Sequence, residues 1–194
     1  MDVLIKQVPQ YVERLFRDYF NPRLLYHNIE HTRNVVRRAD EICKFYHLSA
    51  KDYQIVTIAA WFHDVGYLIS GSYEHERKSV SAMKLFLMCS NIEETTINQI
   101  GDCIMSTKLP SHPENLLQMI LCDADTYHLG TEEFWQSDIA IKREVEMMIG
   151  GTIDGWDKKT LLFLRSHQFF TGYCKDLLTK GKLDNIMILS KKST

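Results

Sequence analysis

His63 and Asp64 stand side by side at the end of an apolar stretch, in Trp61-Phe62-His63-Asp64-Val65-Gly66. Before them Ile55, Ile58, Ala59 and Phe62 fall at helical spacing, and Ser49 can cap the segment. That pattern predicts a buried helix over 50–66, with Gly66 as its stop. A helix that ends this way sets an imidazole and a carboxylate where core meets cleft, and a carboxylate there is costly unless it is paired or holds a metal ion. Two further stretches could complete such a site. His31 falls in the first turn of the next helix upstream, and Leu121-Cys122-Asp123-Ala124-Asp125 places two acids directly after an apolar run. His31, His63, Asp64 and one acid of the Asp123/Asp125 pair form a mixed set of two nitrogens and two carboxylates. That set suits Mn²⁺, Fe²⁺, Co²⁺ or Zn²⁺, and it leaves positions for water and substrate, as a catalytic site requires. Taken singly, His31 reads as a helix-end histidine and the two aspartates as helix-surface acids. Together they read as a metal site.

Helices must bring these residues together. Val3, Tyr11, Leu15, Phe16 and Phe20 make an amphipathic helix over 3–20, ended by Asn21-Pro22. Asn28 caps a second helix over 29–46, striped by Val35, Ala39, Ile42 and Phe45. After the central helix and a Ser70-Gly71-Ser72 loop, helices are predicted from Glu74 to Cys89 and from Glu93 to Ser106. Leu109-Pro110-Ser111-His112-Pro113 is a firm break. A sixth helix spans 116–129 and a seventh, capped by Thr131, runs to Ile149. Short helices follow at 157–166, 168–179 and 182–189, with a tail over 190–194 expected to fray. No stretch alternates with period two and no repeat is present. The expectation is all-α: one compact helical bundle over 1–194, with its core at about 20–180 and the N-terminal helix packed on it.

Composition bounds the partners. A chain of 194 residues with 45% hydrophobic content can build a substantial core. A net charge of -2 offers no basic footprint for nucleic acid polymers. No apolar run is long enough for a membrane span, and the first residues lack a signal-peptide pattern. Cys43, Cys89, Cys103, Cys122 and Cys174 form no C-x-x-C and read mostly as buried, reduced thiols. A cytoplasmic protein without nucleic acid or membrane partners is expected; its oligomeric state is not legible.

His31, His63-Asp64 and Asp125 resemble the H…HD…D signature of the HD-domain superfamily of metal-dependent phosphohydrolases. The likeness extends through Tyr26-His27-Asn28-Ile29-Glu30-His31-Thr32, Ala60-Trp61-Phe62-His63-Asp64-Val65-Gly66-Tyr67, His75-Glu76-Arg77-Lys78-Ser79, Ser106-Thr107-Lys108 and Asp123-Ala124-Asp125, nearly the whole chain. It resembles most a subgroup described only as predicted HD phosphohydrolases. The resemblance implies an HD-type bundle and metal ligation by His31, His63, Asp64 and Asp125. It leaves Asp123, His27 and Glu76 as supporting residues or alternative ligands. One or two divalent ions per chain (Mn, Fe, Co, Ni, Zn or Mg) would activate water against the phosphorus of a small phosphoester, nucleotides included. Asp64 would orient the nucleophile, while His75 and Lys108 would neutralise charge or protonate the leaving group. The subgroup often has Asn where His75 stands, and a His soon after the Thr-Lys pair where this chain offers only His112. His75 is therefore a candidate for a second ion or for phosphate.

Three other readings compete. His27-Asn28-Ile29-Glu30-His31 spells H-x-x-E-H, a metallopeptidase signature with Glu30 as base, but it needs both histidines within one helix and leaves His63-Asp64 unexplained. A regulatory or nucleotide-sensing module could keep the metal without turnover. Di-iron oxygenase chemistry would need further histidine ligands, and only His75 and His112 are on offer.

Overall fold

The computed structural model describes residues 2–192, with side chains from residue 6; Val3 of the predicted first stripe lies outside the described side chains. Among the described residues ten α-helices follow in order: α1 Asp2–Asp18, α2 Ile29–Phe45, α3 Ala50–Phe62, α4 Tyr67–Ser70, α5 His75–Leu87, α6 Glu94–Ser106, α7 Leu116–Asp125, α8 Phe134–Ile149, α9 Trp156–Ser166 and α10 Gly172–Lys192. A single 3-10 turn, Tyr127–Gly130, joins α7 to α8, and no strand occurs among the described residues. The all-α expectation holds. None of the described helices is long and apolar enough to cross a membrane.

The bundle is built around α3, which packs against α1, α2, α5, α6 and α7. Ser49 caps it by accepting the Asp52 N–H. Ile55, Val56, Ile58, Ala59, Ala60, Trp61 and Phe62 are all buried, so its apolar surface goes most of the way round, as a central helix requires. Each of the larger side chains contributes about 1.5–3 kcal/mol by leaving water. Cys43, Cys103, Cys122 and Cys174 are buried and Cys89 is exposed, all five free. Burial pushes the thiols of those four up to about 12, which makes them poor nucleophiles.

Several boundaries differ from expectation; α8, for one, starts at Phe134 after Glu133 rather than directly behind Thr131, which closes the 3-10 turn instead. The central helix ends at Phe62 rather than Gly66, so His63-Asp64-Val65-Gly66 forms a tight turn into α4. The sixth predicted helix stops at Asp125 and tightens into the 3-10 turn. The two short C-terminal helices are one, α10, which carries Gly181 in its interior and continues through Lys191 and Lys192 where fraying from residue 190 was expected; Ser193 and Thr194 lie outside the described residues. Packing explains α10. A Cβ on Gly181 would stand 2.1 Å from the Gly130 carbonyl oxygen, so the glycine lets α10 approach the 3-10 turn, and that contact outweighs its poor helix propensity.

Gly66 works in the same way at the other end of the site. Its N–H donates to Ser79 Oγ at 2.8 Å, and a Cβ there would lie 1.9 Å from the His75 carbonyl oxygen. Gly66→Ala is expected to force the turn away from α5 and to cost at least about 2 kcal/mol, the scale of an overpacked core. A urea midpoint equal to that of the wild type would contradict this close approach.

Candidate metal centre

Four helix ends converge on one point. His31 lies in the first turn of α2, whose start is fixed by Asn28: its side-chain oxygen accepts the N–H groups of Glu30 at 2.9 Å and His31 at 3.2 Å. His63 and Asp64 follow the C-terminus of α3, Asp125 ends α7, and His75 begins α5. The packing of α2 on α3 and α7 brings the first three of these ends together.

One ligand atom each from His31, His63 and Asp125 lies within 4.8 Å of the others. His31 Nε2 is 3.1 Å from Asp125 Oδ1 and 3.3 Å from His63 Nε2. Asp64 Oδ2 joins them at 3.3 Å from His31 Nε2 and 3.2 Å from His63 Nε2. His63 Nδ1 donates to the Ala60 carbonyl oxygen at 2.8 Å, which turns Nε2 toward the cluster, the orientation that a supporting hydrogen bond gives a ligating imidazole.

The electrostatics match a cation. Burial disfavours protonated His63, yet Asp64 and Asp125 outweigh it and raise its pKa well above the usual value; His31 is raised by the same balance. Burial also disfavours charge on Asp64 and Asp125, but the two imidazoles hold both carboxyls below the usual range. A positive charge is thus drawn to the middle of the four side chains. Asp64 Oδ2 is the sharpest sign. It is buried, it sits within ion-pair distance of two imidazoles, and it has no hydrogen-bond partner. The two imidazoles balance its charge without completing a hydrogen bond to it, which leaves the oxygen's lone pairs for a divalent ion to take up. The donor set therefore fits a divalent ion.

Asp123 faces elsewhere. Its carboxylate accepts Phe170 N–H at 2.8 Å, Thr171 N–H at 2.7 Å and Thr171 Oγ at 2.6 Å, tying α7 to the turn before α10. The expectation of an alternative ligand meets a residue whose two oxygens are already engaged. His75 and Glu76 lie on the opposite side of Asp64, with His75 Nε2 3.6 Å from both Asp64 Oδ1 and Glu76 Oε1. They line a cleft of about 270 Å³ together with His27, Asp64, Lys108 and Asp125. His27 precedes α2, stacks on Tyr67 with ring centroids 3.9 Å apart, and hydrogen bonds through Nδ1 to Glu144. Glu30, the would-be peptidase base, is exposed and pairs with Arg33. Arg33 is further held by Glu13 at 2.8 Å, on a solvated face.

Sequence reasoning passed over Glu144. It is buried on α8 and accepts both the Tyr26 and His27 backbone N–H groups, at 2.8 and 3.0 Å, so it holds the loop that leads into His31. One signal was available: Glu144 falls three residues after Ile141 and just before Val145, inside an apolar stripe where an acid needs a buried partner.

His128 and His167, to which the sequence assigns no role, flank the site. Tyr26 Oη hydrogen bonds to His128 Nδ1 at 3.1 Å, and burial, then the nearby His31, push His128 down to about 4. His167 Nε2 lies 3.0 Å from Thr126 Oγ1, with Lys182 Nζ 3.4 Å from its Nδ1. Burial, then Lys182, push His167 down to about 3. Between about pH 6.5 and 3 the unfolded chain therefore binds a proton at this residue that the folded chain refuses, so its contribution to stability falls as pH drops. His167→Gln is expected to lose about 2 kcal/mol less than the wild type between pH 6.5 and 5 in urea unfolding. Parallel losses would contradict a neutral buried His167.

The fold has a known counterpart. The chain is similar to a predicted HD superfamily hydrolase from an uncultured Thermotogales bacterium, solved as a crystal structure, with a TM-score of 0.61 and 19% identity over 96% of this chain and 89% of that one. The two chains therefore share a fold, an all-α bundle of the kind the sequence resemblance implied. No protein-family model and no curated protein matches the chain.

Proposed function

We propose that this protein is a divalent-metal-dependent phosphohydrolase acting on a small phosphoester. The observation that carries the reading is Asp64 Oδ2, buried and unpartnered between the Nε2 atoms of His31 and His63. His31, His63, Asp64 and Asp125 would hold one or two ions chosen from Mn, Fe, Co, Ni, Zn or Mg. Such an ion, when bound, supplies Lewis acidity, polarising a phosphoryl oxygen and lowering the pKa of water to about 7.

The remaining work falls to the chain. Asp64 presents Oδ2 to the imidazoles and Oδ1 to His75, so it can orient an attacking water from the cleft side. His75, whose Nε2 faces Asp64 Oδ1 and Glu76 Oε1, would hand a proton to the leaving oxygen. Lys108 on the cleft wall supplies positive charge for phosphoryl oxygens. Glu144 keeps His27 in place against Tyr67 at the cleft's edge.

Phosphate release from a panel of phosphomonoesters and nucleotides, after loading with each metal in turn, tests the reading. Turnover with at least one metal, lost on chelation, is expected. Metal uptake with no turnover on any phosphoester would contradict it and point to the sensing module instead.

A further inference from the structure

Next to the polar cleft lies a second cavity of about 400 Å³, and the two share His27, Tyr67, Leu109, Asp125 and Thr126 in their walls. A group held at the metal centre thus lies beside this cavity, across or between those shared side chains. The walls change character away from Asp125. Phe134, Ile141, Val145, Trp156 and Phe163 line the cavity, and their side chains offer little that a sugar or a chain of phosphates could hydrogen bond. One acid, Asp138, interrupts this wall. Its Oδ1 accepts Trp156 Nε1 and Thr160 Oγ1, both at 2.8 Å, which fixes the indole against the cavity and leaves Oδ2 without either of these donors. Lys159 is the lining cation, and it is exposed.

The geometry points to this cavity as the seat of the substrate's organic group, a flat aromatic ring carrying an N–H or O–H donor for Asp138, with its phosphate in the adjoining cleft. The inference rests on the phosphohydrolase reading for the reaction, but the cavity itself does not depend on it. Aromatic walls favour a planar π system, because offset and edge contacts add to simple burial. A carboxylate with unused acceptor positions selects a ring with a donor over a plain alkyl chain. A simple aryl group and a nucleobase share this chemistry.

Calorimetric titration of the full chain with 1-naphthol and with guanosine tests the site without any metal. Binding of at least one is expected, weakened about tenfold or more by Ile141→Trp and by Val145→Phe, each of which puts a ring into the cavity. Nuclear Overhauser contacts between the bound ring and the Trp156 indole are expected in the wild type, so the result stands even if both variants fail to fold. Tighter binding of guanosine assigns the ring to a nucleobase; tighter binding of 1-naphthol assigns it to a simple aryl group. If neither binds, or binding gives no contact to Trp156, the inference is overturned. Phosphate release from glycerol phosphate by the metal-loaded protein would then still support the phosphohydrolase. Ring binding with no phosphate released by the metal-loaded protein from any phosphoester of the panel, 1-naphthyl phosphate and guanosine monophosphate included, would instead overturn the phosphohydrolase reading and leave the ring site standing.

Discussion

Asp64→Ala is expected to cut metal-dependent phosphate release at least about a thousandfold, equivalent to about 4 kcal/mol of transition-state stabilisation at about 1.4 kcal/mol per tenfold. Asp64 reaches both imidazoles through Oδ2 and faces His75 through Oδ1, so it joins the two sides of the site. Its loss removes a proposed ligand and the group that orients water in one step. The fold should survive. The residue lies in the turn after α3 rather than inside the helix, and the variant deletes an acceptor that has no hydrogen-bond partner at Oδ2. Far-UV circular dichroism beside the phosphate assay checks both halves. Activity within tenfold of wild type in a folded variant would remove Asp64 from the chemistry.

Asp123→Ala should do the reverse. Asp123 is fully buried, and three donors from Phe170 and Thr171 depend on its carboxylate. Leaving buried donors unpaired costs about 1–3 kcal/mol each, so the variant is expected to lose about 3 kcal/mol or more. That is a large share of the 5–15 kcal/mol typical of a whole domain. Metal bound per folded chain should stay at the wild-type level. A urea midpoint equal to wild type together with lost metal would mean that Asp123, and not only Asp125, ligates the ion. These two aspartates stand two residues apart in sequence, and the structure gives them opposite surroundings.

That contrast shows what the chain discloses locally and what it does not. Helix periodicity and caps such as Asn28 and Ser49 were legible because they depend on neighbours a few residues away. The histidines and acids at helix ends were legible for the same reason: polar groups at the close of apolar runs need an account wherever the run folds. The direction in which Asp123 points was not, because its partners lie at Phe170 and Thr171, 47 and 48 residues later. Glu144 depends on a contact with His27 117 residues away. The continuity of α10 through Gly181 follows from a packing contact with Gly130, where local propensity alone argues for a break. The cavity lined by Ile141 and Trp156 is likewise assembled from helices distant in sequence.

The central claim is that His31, His63, Asp64 and Asp125 hold a divalent ion. Elemental analysis of the purified full chain, metal per chain, with Asp64→Ala measured beside it, tests that claim most directly. About one or two equivalents of Mn, Fe, Co, Ni or Zn in the wild type, lost in the variant, is the predicted result, in line with the mixed nitrogen and carboxylate set. No metal in the wild type even after incubation with Mn²⁺ or Fe²⁺, or the same metal content in both proteins, would contradict it.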